Sequence, residues 1–235
     1  MNRSYPYLRT AILMWVTAVI VGAFLLRIPK MSILEHTARN LYFHVPMWFT
    51  MMAGMALSAF HAVGVLARPG REHDLRSATA AQTAMLFGVL GMVTGIVWAR
   101  VTWYQGTDIW WNFDPRQTFA AMSLLVYAAY FVLRSQIDDI EQRARICAVY
   151  NVFAFTTVPF LLYILPRQVT SLHPGAEGNP AFSDITDPRM RLVFYPAVIG
   201  FIALFWLLYN QRVRLGRLLA AADRTSSEHD RSLAS

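Results

Sequence analysis

Two histidines stand in apolar company in this sequence, His44 in N-L-Y-F-H-V-P and His173 in V-T-S-L-H-P-G, and a connection dense in aromatic and charged groups, W-W-N-F-D-P-R-Q-T from Trp110 to Thr118, lies between them. Neutral imidazole is an axial ligand of haem iron. An ionisable residue at membrane depth is by default a functional one, although a single interfacial histidine is more often an ordinary hydrogen-bonded group. The pair changes that balance. Two imidazoles meeting one iron from opposite faces, with metal–nitrogen bonds of about 2 Å each, need their ligating nitrogens roughly 4 Å apart. On that geometry His44 and His173 are candidate metal ligands that could bind one haem iron from opposite faces.

These residues sit in a chain of 235 residues that is 56% hydrophobic and only 15% charged, far below the roughly 25% charge of a soluble domain. Apolar runs long enough to cross a bilayer fall at Thr10–Leu26, Leu41–Ala67, Gln82–Trp98, Phe119–Leu133, Cys147–Leu165 and Leu192–Tyr209. The expected fold class is all-α: a polytopic bundle of six transmembrane helices over 1–209, followed by a basic tail over 210–235. The first run, preceded by Arg3 and Arg9, is too long for a signal-peptide core and shows no cleavage site, so it reads as a retained helix.

Of the 21 Lys and Arg residues, 13 fall on the amino terminus, loops 2 and 4 and the tail, and 8 on loops 1, 3 and 5. The excess predicts cytoplasmic termini, with His44, His173 and the aromatic connection on the outward side of the membrane. The net charge of +7 is scattered over loops and forms no soluble basic face, so a nucleic-acid partner is excluded; membrane lipid is the surrounding solvent. Cys147 is the single cysteine, which rules out an internal disulfide, a CxxC site and a CxxCH haem attachment.

The loops carry local signals. S-I-L-E at Ser32–Glu35 has the form of a capping box, and Pro46 bends the second span beside His44. R-P-G-R-E-H-D-L-R is a short polar turn broken by Pro69 and Gly70. R-S-Q-I-D-D-I-E-Q-R-A-R has both charge signs at helical spacing and reads as a solvated helical linker. The long fifth loop, rich in Pro, Gly and Asp, has the length of a functional or disordered segment. The tail reads as a helix that frays into a disordered end.

Five of the seven tryptophans, Trp48, Trp98, Trp103, Trp110 and Trp111, fall on the outward side, with Tyr104 and Phe113 among them. An interfacial belt would explain aromatic residues at both membrane surfaces; four tryptophans between Trp98 and Trp111 favour a flat surface for a planar ligand. Asp114 followed by Pro115 is a standard helix start whatever else it does. Arg116 either snorkels or holds a carboxylate, and Arg39 and Arg167 are the other outward cations able to meet haem propionates. His73 and His229 read as solvated; His36, two helical turns before His44, is the reserve candidate that either approaches the same ligand from the rim or faces water. His61, about 25 Å along the helix from His44, lies too far away to share its ligand.

Six spans, N-L-Y-F-H-V-P entering the second, a tryptophan-rich external connection ending in W-W-N-F-D-P-R-Q-T and S-L-H-P-G after the fifth together resemble the CcmC branch of the haem-handling superfamily of cytochrome c maturation. The resemblance implies Trp110, Trp111 and Asp114 for the platform and His44 and His173 as axial ligands of haem b; Trp98, Trp103, Phe113 and Arg116 complete the residues expected to bind the cofactor. It also implies the partners CcmA, CcmB and CcmD and the haem chaperone CcmE. Phe113 stands where that family has a Trp before the Asp, Y-Q-G-T-D-I is a longer version of its W-G-T segment, and N-F-D-P-R-Q-T is closer to the CcsA branch, whose synthases join haem to apocytochrome c. Haem delivery is the first expectation and a CcsA-like synthase subunit the alternative. The chain has no GxxxxGK[ST] sequence, so ATP would be handled by another subunit. An electron-transfer cytochrome b would need histidine pairs within the bilayer, and a haem-free permease would show no Soret band.

Overall fold

The computed structural model describes residues 5–28, 35–68, 70–173, 185 and 187–234. Six helices long and apolar enough to cross a membrane make up the described fold: α1 (Tyr5–Leu25), α2 (Leu41–Ala67), α3 (Arg71–Thr102), α4 (Pro115–Ser135), α5 (Ile140–Pro159) and α6 (Pro188–Ala234). The 3-10 turn Glu35–Asn40 leads directly into α2. Ser32 to Leu34 of the expected capping box lie outside the described residues, as does most of the fifth loop.

Packing is organised around α2, which lies against α3, α5 and α6, while α1 runs along α6. Lipid tails are as apolar as leucine, so helices in a bilayer associate through close packing and hydrogen bonds. Both are present. Gly54 admits Phe205 and Ala84, and Gly88 admits Met51 and Leu124; an added Cβ at either would come within 2.7 Å of its neighbours. The core is completed by Met55, Tyr127, Tyr130, Phe201 and Tyr209. Inside it, Asn151 Nδ2 donates to Ser58 Oγ at 2.7 Å and Ser77 Oγ at 2.9 Å, while Tyr127 donates to Asn151 Oδ1 at 3.3 Å.

Three elements depart from the hydropathy pattern. α3 begins eleven residues before the expected Gln82, because Arg71–Ala81 buries Asp74, Ser77, Ala78, Thr79 and Ala80 against its neighbours. Asp74 is tolerated there through a bidentate pair with Arg134, at 2.7 and 2.6 Å. The expected helical linker is broken instead. α4 stops at Ser135, and α5 starts at Ile140 with Asp139 as N-cap, accepting from Gln142 N at 2.7 Å. Arg134 has turned inward rather than into water. Finally, α6 passes through the expected tail without interruption to Ala234, tethered to α3 by Arg217, whose guanidinium pairs with Glu72.

Candidate functional site: a paired-histidine cavity

α5 does not end as an ordinary helix. Pro159 is followed by a single π turn, Phe160–Ile164, in which Leu165 N donates to Phe160 O, and then by the 3-10 turn Leu165–Arg167 containing Pro166. A π turn inserts one extra residue and re-aims the side chains that follow, which is why such turns cluster at functional sites. Here it brings Leu162 and Tyr163 into the wall of a cavity and carries the chain on toward His173.

The opposite wall is built by α2 and α3. His44 Nδ1 lies 2.9 Å from Gly91 O and 3.2 Å from Thr94 Oγ1. A carbonyl only accepts, so Nδ1 carries the proton and the lone pair resides on Nε2, the arrangement of a ligating histidine whose other nitrogen is held by the protein. Glycine makes this approach possible. A Cβ at Gly95 would sit 2.7 Å from His44 Cε1, and one at Gly91 would sit 3.0 Å from Trp48 Nε1. Trp48 and Trp98 meet the His44 ring edge-on, at centroid distances of 6.3 and 5.8 Å. Trp98 is held in turn by donating to Thr37 Oγ1 at 3.1 Å.

Asp114 joins the loop before α4 to the segment that follows α5. Pro115 occupies the first position of α4, and the Asp114 carboxylate accepts from Arg116 N and Gln117 N, as its type and place predict. The same carboxylate also accepts from Ser171 Oγ at 2.8 Å and Leu172 N at 2.9 Å, and Ser171 Oγ accepts from His173 N at 3.1 Å. One buried carboxylate thus holds both the start of α4 and the segment bearing His173. Just before it, Asn112 Oδ1 accepts from Asp114 N at 3.1 Å, and the turn leaves Phe113 at φ 60°, a left-handed conformation that a bulky residue rarely adopts.

The two imidazole centroids are 6.5 Å apart, their planes inclined at 39°. Iron–nitrogen bonds of about 2 Å and a nitrogen-to-centroid distance of about 1.15 Å require about 6.3 Å for two rings on one iron. The cavity between them, about 180 Å³, is lined by apolar side chains such as Val45, Phe49, Met52 and Leu162, with Asp114, Arg116, Gln117 and Tyr163 contributing polar groups. Haem is a flat apolar ring with an iron and two carboxylates, and this donor set fits it. The volume is below the roughly 300–1,000 Å³ of an enclosing small-molecule pocket, so a porphyrin held between the two imidazoles would keep one edge outside.

The residues expected from sequence divide in two. His44, His173, Trp98, Trp103, Asp114 and Arg116 line the cavity together, with Trp103 beside His173 at a centroid distance of 6.4 Å. Trp110, Trp111 and Phe113 do not line it. Trp110 is 56% exposed beneath Arg100 at 5.7 Å, and Phe113 is 75% exposed, edge-on to Trp111. Of the expected propionate partners, Arg39 donates to Ala23 O and Leu26 O at the end of α1, and Arg167 lies over the Tyr163 ring. His61 lies in the opposite half of the bundle, 3.2 Å from Tyr209 Oη and 3.4 Å from His73 Nδ1, so His73 is packed against α2 rather than simply solvated. Gln117 and Ser171 lie inside the quoted motifs without a role assigned to them there, and Tyr163 carried no sequence signal. The glycines did: Gly88, Gly91 and Gly95 recur at helical spacing, the pattern of a face closely approached by another helix.

Fold and cavity define a polytopic helical membrane protein with a pocket built around paired histidines. The chain matches the family described as heme exporter protein C over residues 1–227. It is 26% identical over 199 residues to the heme exporter protein C of Paracoccus denitrificans, covering 80% of this chain and 79% of that protein. Over 178 residues it is 24% identical to the protein of the same name from Bradyrhizobium diazoefficiens, covering 76% of this chain and 66% of the other. It is also 33% identical over 122 residues to the cytochrome c biogenesis protein CcsA of Prochlorococcus marinus, half of this chain and 37% of that one. The chain belongs to the heme exporter protein C (CcmC) family, and it is a haem-handling membrane protein of cytochrome c maturation.

Proposed function

We propose that this protein holds haem b at the outer face of the bacterial inner membrane, with His44 and His173 as axial ligands, and delivers it to a haem chaperone of the CcmE type. The 6.5 Å separation of the two imidazoles across an apolar cavity carries this reading. The protein's contribution is positioning, since oriented binding replaces a bimolecular encounter with an intramolecular one. His44 is braced by Gly91 O and by two indole edges. His173 sits on a loop secured through Ser171 and Asp114, so it is the ligand that can be withdrawn when the porphyrin leaves. Trp98 and Trp103 cover the ring inside the cavity, while Trp110, Trp111 and Phe113 form an aromatic shelf for the edge that stays outside. CcmA, CcmB and CcmD are the partners that fit a chain without a nucleotide-binding loop.

Absorption spectra of the detergent-purified chain test the site. The wild type is expected to show a low-spin Soret band. His44→Ala and His173→Ala are each expected to remove bis-imidazole ligation, with exogenous imidazole restoring it. Unchanged spectra in both variants would reject the assignment. A local likeness favours a second reading. The partial likeness to the cytochrome c biogenesis protein CcsA fits direct presentation of haem to apocytochrome c. Mixing the loaded protein separately with a haem chaperone and with an apocytochrome distinguishes the two by which one takes the haem.

A further inference from the structure

We infer that Gln117 recognises a carboxylate on the porphyrin rim and, with Arg116, makes the cavity select haem with free propionates over porphyrins lacking them; this rests on the haem reading above. Arg116, Gln117 and Ala120 share one face of the first two turns of α4, and all three line the cavity. Both polar atoms of the Gln117 side chain, Nε2 and Oε1, are buried and have no hydrogen-bond partner among the described residues. A buried amide without partners is costly and persists where something else supplies the bonds.

The neighbouring acceptor does not supply them. Asp114 already receives Arg116 N, Gln117 N, Ser171 Oγ and Leu172 N, and Val45, Phe49, Met92 and Leu162 in the surrounding wall offer no side-chain hydrogen bond. On this reading the partner of Gln117 is the ligand. A planar apolar body with a carboxylate at its edge fits. Nε2 donates to a carboxylate oxygen while Arg116 supplies the positive charge, and hydrogen bonds to a charged partner are the stronger kind. Oε1 is left for a water bound at the same edge. A small residue at Ala120 keeps that end of the cavity open. Glutamate at position 117 would repel the carboxylate, and leucine would fill the wall without a bond.

The test titrates the full-length, detergent-purified chain with haem and with haem dimethyl ester, whose carboxylates are capped, and follows the Soret band. The wild type is expected to bind haem more tightly than the ester. Gln117→Leu is expected to reduce that preference about tenfold, the share of one hydrogen bond to a charged group, because the uncharged ester carbonyl loses only the weaker neutral bond. Gln117→Glu is expected to weaken haem binding further while still taking up the ester. A monodisperse gel-filtration peak and wild-type helical content by circular dichroism serve as the control for folding in both variants, and either variant alone decides the question. A wild-type haem-to-ester ratio in Gln117→Leu or in Gln117→Glu overturns the inference, because the amide is then satisfied by water alone. Absence of bis-imidazole ligation in the wild type would instead sink the haem reading itself, whatever the ratio.

Discussion

At the scale of single residues, the cavity is governed by how close α2 and α3 come. His44 can lie against Gly91 O only because Gly91 and Gly95 have no side chains to displace it. Gly95→Ala is therefore expected to push the His44 ring off its hydrogen bond. Haem occupancy and the low-spin fraction should fall several-fold, while membrane insertion is unchanged. Gly22→Ala is the contrast: its Cβ would meet nothing nearer than 3.9 Å. Its effect should stay within about 0.5 kcal/mol, the usual size away from packed sites. Equal Soret absorbance per chain in the two variants would contradict this account. Asp114 was legible in part. Its role as an N-cap follows from its type and from Pro115 after it, whereas its bonds to Ser171 and Leu172 join segments 57 and 58 positions away and depend on the folded path of α5.

At the scale of elements, the helix starts and ends show where hydropathy is a partial guide. The apolar centre of every helix could be read directly, but the first eleven residues of α3 could not, because Asp74 lies buried among them. The Asp74–Arg134 pair has side chains only 12% and 17% exposed, so each partner compensates the charge of the other. Arg134→Leu is expected to destabilise the bundle by about 3–5 kcal/mol, leaving an uncompensated buried carboxylate. Asp74→Leu combined with Arg134→Leu should recover most of that loss. Thermal unfolding in detergent measures both, and a double variant no more stable than the single one would show that the pair is not coupled. The π turn after Pro159 is the other element beyond sequence reading: no local rule places it, and it orients Tyr163 into the site.

At the scale of the whole molecule, all the cavity residues converge at one end of the bundle, and the His61–His73–Tyr209 cluster lies in the other half. The positive-charge asymmetry, 13 against 8, predicts that the cavity faces outward. Cysteine accessibility provides the check, since native Cys147 is buried. Asp108→Cys, exposed on the loop after α3, should react with a membrane-impermeant maleimide in intact spheroplasts. Ser226→Cys, near the end of α6, should react only after the membrane is opened. The reverse pattern would turn the molecule over and place the cavity on the cytoplasmic side.

The amino-acid sequence by itself determined the six spans, the helix start at Asp114 and the presence of histidines at corresponding ends of two helices. Apolar length and capping chemistry act within a few residues of chain, so they can be read one segment at a time. Only the tertiary structure decided that the imidazoles stand 6.5 Å apart, that Trp48, Trp98 and Trp103 line the cavity while Trp110 and Phe113 lie exposed, and that Gln117 and Tyr163 belong to the wall. Those outcomes depend on which glycine faces which ring across a helix contact, and on one extra residue in a π turn. Both are properties of packed surfaces rather than of any single stretch of sequence.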